Sequence, residues 1–549
     1  MATDEWNVDL DDSNVSKDLG LADVDLTGSL ARPGFSSMKP QHSVGVATST
    51  KLAKITTGTV LAGGDDGWEV NPDDVKLTSK IGKGAFGVVY KGKLHGKDVA
   101  VKKLLNQDLS PETMADFKKE VAIMSKLRHP NVLLFMGAST KPGSLMIVTA
   151  LMPRGSVYDL LHDEANPLPF KRRMKFAKQA ALGMTWLHCA KPPFIHRDLK
   201  TGNLLVDENW NVCVCDFGLA HVKTHGDKGV RGSYGSIGTP LWMAPEVLLD
   251  KPYDTSADVY SFGIVLWELL TCKDPFPGID TFSMMLDEVV QKQKRPEIPP
   301  ECPTRLKKLI QACWDADPKR RPAFEKILPL FDEIIVDSII KDKHGRQMWK
   351  KAFLTKDELK EQVSWKQFVI ALTSYWKEKI PRDPDDLRFK CLKALLADNT
   401  KEMVTMEAFG RMLEWFGPMT GMDLLDRVMD LLKKSWFHGE ISAEEAEKAL
   451  ENQKKGAFLV RFSARDPGSF AITALGSGGK VKHFRVYHKP NLKYLIGKTE
   501  CDSLDQIITK YHKDLQLRTP APGSPFEELF SKQKAPVNVS CGYLVPDFE

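Results

Sequence analysis

Hydrophobic and polar positions alternate in short stretches from about Val75, and they give way to longer helical periods that end near Ile340. Alternation with a period of two is typical of strands that bury one face, whereas a period near 3.6 is typical of helices. The pattern therefore predicts a strand-rich part followed by a helix-rich part within residues 71–340.

Two further regions follow, and each has its own pattern. Residues 341–431 carry apolar residues at helical spacing, among them Val363, Phe368 and Leu372, and they predict a helical linker. Residues 432–515 predict a compact domain that mixes strands and helices. We therefore expect an α+β protein of several domains.

The two ends of the chain differ in composition from the rest. Residues 1–70 are rich in Asp, Ser, Gly and Thr and poor in aromatics. Such a segment cannot bury enough apolar surface to offset its ordering, so it predicts disorder. Residues 516–549 contain Pro520, Pro522 and Pro525 and show no periodicity, which predicts a flexible tail.

Composition limits the classes of function. The net charge of +5 over 549 residues is too mild to indicate a nucleic-acid partner. The nine cysteines form no C-x-x-C pair, which argues against a zinc site and fits a reducing compartment. No apolar run approaches the roughly 18 residues of a membrane span. We therefore expect a cytoplasmic protein without membrane insertion, and recruitment to the plasma membrane through a partner is left open.

A glycine-rich loop opens the strand-rich part. Gly82, Gly84 and Gly87 have the spacing G-x-G-x-x-G, which by itself also occurs in dinucleotide-binding folds. Here the loop runs into the strand pattern of Val88 and Val89 and not into a helix. The strand that follows ends on Lys102, a cation placed to reach phosphates.

The helix-rich part contains His196-Arg197-Asp198-Leu199-Lys200-Thr201-Gly202-Asn203, followed by Asp216-Phe217-Gly218. Asp198 can accept a proton from a hydroxyl, and Asn203 and Asp216 can bind Mg²⁺ beside a triphosphate. With the glycine loop and Lys102, this series resembles the protein kinases, whose fold has two lobes. The resemblance implies ATP and Mg²⁺ as cofactors and protein hydroxyls as substrates.

The same resemblance assigns roles to residues. Asp198 and Lys200 are the expected catalytic residues, and Asn203 and Asp216 the metal ligands. Glu120 is the expected counter-ion of Lys102, with Glu112 as the alternative. The residues expected to bind ATP are Ile81, Gly82, Gly84, Gly87, Val89, Ala100, Lys102, Glu120, Thr149, Ala150 and Met152.

The activation segment of a kinase would run from Asp216 to Glu246. Its candidate switch residues are Thr224, Ser233, Tyr234, Ser236 and Thr239. Arg197 is expected to pair with a phosphorylated residue there, because a phosphate adds about two negative charges. His196 is expected to be a packed structural histidine, and Arg321 to form an ion pair with Glu246.

The acceptor hydroxyl is less sharply defined. Lys200-Thr201 resembles the serine/threonine kinases, whereas Trp242-Met243 resembles the tyrosine kinases. Residues 127–137 resemble the tyrosine-kinase-like group. We predict phosphorylation of Ser and Thr and leave Tyr open.

A second motif lies in residues 432–515. Gly456-Ala457-Phe458-Leu459-Val460-Arg461-Phe462-Ser463 resembles the SH2 domain. Burial of Arg461 in an apolar strand would be costly unless an anion arrives, and a guanidinium matches a phosphate with two parallel hydrogen bonds. The resemblance implies phosphotyrosine binding by Arg461, Ser463, His483 and Arg485. Many SH2 domains carry a basic residue where this chain has Ala443, so one phosphate contact is expected to be missing.

The order of the two motifs completes the expectation. The linker resembles that of the STAT proteins, and a kinase placed before an SH2 domain resembles the Shk-type kinases of amoebae. We expect a protein kinase recruited to phosphotyrosine-containing proteins. The alternative is a phosphotyrosine-binding adaptor whose kinase fold is inactive.

Overall fold

The structure is a computed structural model that describes most of the chain from residue 67 onward. The described residues are 67–83, 87–216, 221–222, 240–279, 281–355, 358–377, 386–397, 401–463, 466, 468–476, 479–489 and 492–531. In the first helix the side chains of residues 112, 113, 116, 119, 120 and 123 are excluded. The predicted disordered region, 1–70, therefore lies outside the description except for its last four residues.

An antiparallel sheet with one helix forms the N-terminal lobe. Its elements are β1 (Val75–Lys83), β2 (Gly87–Leu94), β3 (Lys97–Leu104), α1 (Pro111–Met124), β4 (Phe135–Ser139) and β5 (Met146–Ala150), with the strand order β1-β2-β3-β5-β4. Alternate residues Val99 and Val101 are buried on one face of β3. A Cβ on Gly87 would lie 2.6 Å from Lys103 O, so this glycine is required by the approach of β3.

Helices dominate the lobe that follows. Its elements are α2 (Val157–Leu161), α3 (Phe170–Cys189), β6 (Phe194–Ile195), β7 (Leu204–Val206), β8 (Val212–Val214), β9 (His221–Val222), α4 (Pro245–Leu248), α5 (Ser256–Thr271), α6 (Phe282–Met285), α7 (Thr304–Cys313) and α8 (Phe324–Ile339). Every residue of α5 from Ala257 to Leu269 is buried. A helix that is buried all round is the core of its lobe. The predicted pair of Arg321 with Glu246 is confirmed, with Nη1 2.6 Å from Oε1.

The linker region contains α9 (Lys343–Phe353), β10 (Gln362–Ser364), α10 (Trp365–Trp376), α11 (Leu387–Leu396), β11 (Met403–Thr405), α12 (Met406–Phe416) and α13 (Asp423–Leu432). Trp349, Phe368 and Phe409 are fully buried and their rings pack together, with Trp349 stacked on Phe409 and Phe368 meeting Phe409 edge to face. The pairing of β10 with β11 was not expected from the helical pattern. These strands are only three residues long, too short to show a period.

A mixed domain ends the described chain. Its elements are α14 (Ala443–Leu450), β12 (Ala457–Phe462), β13 (Ser469–Leu475), β14 (Val481–His488), β15 (Tyr494–Ile496), β16 (Thr499–Cys501), α15 (Leu504–Tyr511), β17 (Thr519–Pro520) and α16 (Glu527–Phe530). The sheet order is β16-β15-β14-β13-β12-β17.

The prediction that residues 516–549 form a flexible tail is wrong for residues 516–531, the part that the structure describes. β17 pairs in parallel with β12 through Ala457 and Phe458, and the ring of Phe526 stacks on Phe437 at 5.8 Å. Residues 516–531 therefore belong to the C-terminal domain. The prolines misled the prediction because a proline can occupy the edge of a sheet, where no ladder hydrogen bond from its nitrogen is needed.

The lobes, linker and C-terminal domain belong to one compact unit, Asp65–Glu549. Lys171 of α3 forms ion pairs with Glu361 and Glu407 of the linker. At the other end of the linker, the Trp415 ring stacks on Phe462 at 4.1 Å. Within the described residues, no helix is long and apolar enough to cross a membrane.

Candidate active site and phosphate-binding face

A cleft of about 690 Å³ lies between the two lobes. Most of the residues predicted to bind ATP or a metal line it, namely Ile81, Gly82, Val89, Ala100, Lys102, Thr149, Ala150, Met152, Asn203 and Asp216. They come from β1, β2, β3, β5 and the segments beside β7 and β8. Residues far apart in sequence therefore meet in one concave site, which is the usual form of a small-molecule site.

Lys102 of β3 crosses the cleft to Asp216. Its Nζ lies 2.8 Å from Asp216 Oδ1. Although burial acts in the opposite direction, Lys102 lowers the pKa of the Asp216 carboxyl below its usual range. Asp216 is therefore ionised near neutral pH, and the site presents a fixed cation and a fixed carboxylate side by side.

The β7–β8 hairpin brings Asn203 close to Asp216. Asn203 immediately precedes β7, Asp216 lies two residues beyond β8, and Leu204 pairs with Val214 in the antiparallel register. The Cys215 N–H donates to Asn203 O at 2.9 Å, which closes the hairpin on the site.

The Asp198 carboxylate has two partners from its own loop. The Asn203 amide Nδ2 donates to Asp198 Oδ2 at 2.8 Å, and Lys200 Nζ lies 3.0 Å from the same oxygen. Both donors hold the carboxylate in a fixed orientation within its own loop.

A buried carboxylate on α5 binds the backbone of the loop that contains Asp198. Asp258 is fully buried and accepts the backbone N–H groups of His196 and Arg197 at 2.8 and 2.9 Å. Burial would raise the pKa of this carboxyl, but the hydrogen bonds and charge interactions with His188 and His196 together outweigh it and lower the pKa. His196 is packed as predicted, with its Nε2 2.9 Å from Cys215 O.

The C-terminal domain has a second group of cations on one face of its sheet. Arg461 is paired with Ala471, which is paired with Arg485, so these three residues share a face. Leu459, on the same face, packs on α14. Arg461 is 6% exposed, and among the described residues its Nη1 donates to the carbonyl oxygens of Phe462 and Ile441.

The guanidinium of Arg461 lacks a counter-ion within the described residues. Its Nε is buried without a hydrogen-bond partner there. Burial lowers the pKa of the guanidinium, as expected for a cation removed from water. An unpaired buried cation is costly, so this position is suited to an anion that arrives from outside.

The other predicted residues of this face already have partners. His483 Nδ1 lies 3.0 Å from Thr473 Oγ1, and its Nε2 lies 3.0 Å from Glu447 Oε1. Arg485 Nη1 lies 2.8 Å from Asp466 Oδ2. No sequence motif pointed to Glu447 or Asp466, because their proximity to His483 and Arg485 depends on how the chain places them against the sheet in three dimensions.

Comparison with known proteins agrees with this geometry. The family described as "protein tyrosine and serine/threonine kinase" matches residues 75–331, and the SH2 domain family matches residues 436–511. The dual specificity protein kinase shkA of Dictyostelium discoideum is 42% identical over 488 residues, which cover 84% of this chain and 91% of that protein. This chain belongs to the Shk family of protein kinases.

Other relatives support the same assignment. The dual specificity protein kinase shkC of Dictyostelium discoideum is 43% identical over 80% of this chain and 89% of its own length. The serine/threonine-protein kinase CTR1 of Arabidopsis thaliana is 44% identical over 48% of this chain and 32% of its own length. The predicted two-lobed kinase fold with an SH2 domain is confirmed, as is the prediction of a protein kinase.

Some predicted residues of the kinase lie elsewhere or outside the description. Gly87 is described but does not line the cleft. Gly84, the side chains of Glu120 and Glu112, and the candidate switch residues of the activation segment fall outside the described residues. The proposed partner of Arg197 is therefore not described, although Arg197 Nε and Nη2 are buried without a hydrogen-bond partner among the described residues.

The cleft also contains residues that sequence reasoning missed. Leu205 and Cys215 lie at its floor beside Asn203 and Asp216, and Asp159 of α2 lies at its edge. Leu205 is the middle residue of β7, which directly follows Asn203. Asp159 could have been noticed because it forms a capping box with Ser156 at the start of α2.

Proposed function

We propose that this kinase transfers the γ-phosphate of ATP to Ser and Thr hydroxyls of proteins, and also to Tyr. The observation that carries the proposal is the convergence of Lys102, Asn203 and Asp216 on one cleft, with the pair of Lys102 and Asp216 at 2.8 Å. Asp198 is attached to this group through the Asn203 amide, whose Nδ2 donates to Asp198 Oδ2 at 2.8 Å. Each of these residues has the charge or the ligand oxygen that phosphoryl transfer needs. The names of the relatives, which are dual specificity and serine/threonine kinases, support the choice of acceptors.

Each side chain has one proposed task. Asp198 accepts or orients the proton of the substrate hydroxyl. Lys200, beside it, neutralises charge that develops on the transferred phosphoryl group. Lys102 positions the α- and β-phosphates. Ala150 and Met152, at the junction of the lobes, offer backbone hydrogen bonds to the adenine, with Thr149 behind them.

The donor set also fits Mg²⁺, which prefers oxygen ligands. Asp216 supplies an ionised carboxylate. The side-chain amide of Asn203 donates from its nitrogen to Asp198, so the amide oxygen of Asn203 points away from Asp198. These two residues are the proposed ligands. When bound, Mg²⁺ would offset the negative charge of the phosphates.

The SH2 domain is proposed to recruit the kinase to phosphotyrosine-containing proteins. Arg461, buried and without a counter-ion among the described residues, would bind the phosphate, and Ser463, His483 and Arg485 would flank it. Tethering raises the local concentration of substrate, so phosphorylation would be directed by the docking site. The proposed location is the cytoplasm, with recruitment to the plasma membrane when the phosphorylated partner resides there.

The decisive experiment is phosphate transfer from radiolabelled ATP to a generic basic protein. We expect Asp198→Ala to lower kcat by about 10²- to 10⁴-fold, the usual contribution of a positioned proton acceptor. Asp73→Ala, which removes an exposed carboxylate of the N-terminal lobe, is the matched control and should retain full activity. Phosphoamino-acid analysis of the product reports which hydroxyls are used.

The same experiment distinguishes the adaptor that the sequence left open. No incorporation by the wild-type protein, even after phosphorylation of the activation segment, would favour a binding protein without catalysis. Incorporation by Asp198→Ala at the wild-type rate would remove Asp198 from the mechanism.

A further inference from the structure

Glu268 is a buried carboxylate that no step of the proposed mechanism uses. It lies on α5, is fully buried, and is ten residues beyond Asp258. Burial raises the pKa of its carboxyl to about 8, against the hydrogen bonds from Trp242 and Thr201, which favour the ionised form. Carboxylates are almost never fully buried unless they are paired, so the position of this one requires an explanation.

The two oxygens of Glu268 bind two different segments. The Thr201 hydroxyl donates to Oε1 at 2.7 Å, and the Trp242 indole N–H donates to Oε2 at 2.7 Å. Thr201 begins the 3-10 helix that ends on Asn203, and it follows Lys200 directly. Trp242 ends the 3-10 helix Pro240–Trp242, at the C-terminal end of the activation segment.

Helix α5 therefore fixes the catalytic loop on both sides of Asp198. Asp258 binds the backbone of His196 and Arg197 on the N-terminal side, and Glu268 binds Thr201 on the C-terminal side. Since α5 is buried from Ala257 to Leu269, it is a rigid base for both contacts. Asp198 and Asn203, which are bonded to each other, lie between the two attachments.

We propose that Glu268 is a positioning residue, which ties the loop of Asp198 and Asn203 to the end of the activation segment through Thr201 and Trp242. This inference rests on the proposed roles of Asp198 and Asn203. Misplacement of a catalytic group by about 1 Å can cost a hundredfold in rate, so the contacts of Glu268 should affect catalysis as well as stability.

The test compares variants that remove one contact each. Thr201→Val keeps the shape of the side chain and removes its hydroxyl, and Trp242→Phe removes the indole N–H. We expect each to lower kcat per folded molecule roughly 10- to 100-fold, the effect of leaving one buried carboxyl oxygen without its hydrogen bond. The KM for ATP should stay within about twofold of the wild type, because the residues at the adenine end of the cleft do not contact Glu268.

Trp267→Phe is the matched control for Trp242→Phe. Trp267 precedes Glu268 on the same helix and is equally buried, but its indole donates to Glu297 O at 2.7 Å, away from the catalytic loop. This control should lower the melting temperature and leave kcat per folded molecule unchanged. Glu268→Gln, which still accepts one bond and can donate to Thr201, should retain more of kcat than Glu268→Leu.

Backbone amide exchange gives a readout without nucleotide or activity. In Thr201→Val, we expect faster exchange at residues 198–204 than in the wild type, and no such change in Trp267→Phe. If Glu268→Leu does not fold, the single-contact variants and the amide exchange still decide the question.

The outcomes separate this inference from the proposed function. An inactive wild-type protein would contradict the proposed function itself. An active wild type in which Thr201→Val and Trp242→Phe keep full kcat per folded molecule, with unchanged amide exchange, would show that Glu268 serves stability alone. A loss in Trp267→Phe equal to that in Trp242→Phe would have the same meaning.

Discussion

At the scale of single residues, buried charges mark the functional sites of this kinase. Arg461 is buried without a counter-ion among the described residues, whereas Asp258 and Glu268 are buried with hydrogen-bond donors. An unpaired charge is stable only if the rest of the domain compensates for it or if a ligand completes it. Arg461 is therefore suited to ligand binding, and the two carboxylates are suited to support.

Arg461→Ala should weaken binding of a phosphotyrosine peptide by about 2–5 kcal/mol, which is roughly 30-fold to several thousand-fold in Kd. The reason is that the phosphate loses the buried guanidinium, which would donate two parallel hydrogen bonds to it. Phosphorylation of a generic basic protein in solution should be unchanged, because Arg461 lies in the SH2 domain. Calorimetric titration and a kinase assay measure the two effects.

Arg485→Ala is the control for that prediction. Arg485 is partly exposed and already paired with Asp466, so its loss should cost less affinity than the loss of Arg461. Equal binding by wild type and Arg461→Ala would contradict the assignment of the phosphate site.

Glu268 leads to a prediction on pH. Its folded-state pKa is raised to about 8, and its neighbours with titratable groups are Asp274 and Tyr158. Between about pH 4.5 and 8 the unfolded chain has lost the proton that the folded chain keeps, so this carboxyl makes the wild type less stable as the pH rises. The melting temperature of Glu268→Gln minus that of the wild type should therefore increase from pH 5 to pH 8 and then level off. A difference that is constant with pH would contradict the raised pKa.

At the scale of secondary-structure elements, β12 has a different task on each face. Arg461 lies on the face covered by α14, whereas Phe462, the next residue, lies on the opposite face. There its ring stacks on Trp415 of α12, and the Trp415 indole donates to Ser469 O at 2.8 Å. The linker thus contributes to the core beneath the strand that carries Arg461.

Close backbone approach confirms this junction. Gly468 has a φ of +81°, and a Cβ there would lie 2.9 Å from Glu414 O at the end of α12. A side chain at this position would push α12 away from the sheet. The packing of Trp415 and Phe416 on its ring therefore accounts for an aromatic residue at Phe462.

Trp415→Ala should destabilise the linker and the SH2 domain together by about 3–5 kcal/mol, the usual cost of removing a buried tryptophan. Denaturant unfolding followed by far-UV circular dichroism measures it. The control is Trp365→Ala, a linker tryptophan that is only partly buried and stacks on Phe368 within the linker. Equal unfolding midpoints for the two variants would contradict a shared core.

At the scale of the whole molecule, the helical lobe, the linker and the SH2 domain form one continuous hydrophobic core. Helix α12 approaches α8 so closely that a Cβ on Gly410 would lie 2.5 Å from Ile339 O. The ion pairs of Lys171 with Glu361 and Glu407 lie across the same junction. The linker is thus a packed part of the kinase and not a flexible tether.

Truncation tests this conclusion. A chain that ends at residue 340 loses the cover of α8, so its melting temperature should fall and it should aggregate through the exposed apolar surface. A chain that ends at residue 531 removes only residues outside the described part and is the control, with the melting temperature of the full protein. Equal thermal stability of the chain ending at 340 would show that the linker contributes nothing to the kinase lobes.

The sequence by itself determined the chemistry. Asp198, Asn203, Asp216 and Lys102 lie in short motifs whose spacing is set by local backbone geometry, so their joint use could be read before any fold was known. Arg461 could be found in the same way, because a charge within an apolar run stands out. The succession of strands and helices also followed from periodicity, apart from strands too short to show a period.

Only the tertiary structure decided which distant residues support those motifs. Glu268 and Thr201 are 67 positions apart in the sequence, and Trp415 and Ser469 are 54 positions apart. Neither pairing can be recognised from the spacing of nearby residues. The assignment of residues 516–531 to the SH2 sheet likewise depends on a partner strand more than 50 residues earlier. Short motifs reflect contacts between residues that are close in sequence, whereas tertiary packing depends on the free energy of the whole folded chain.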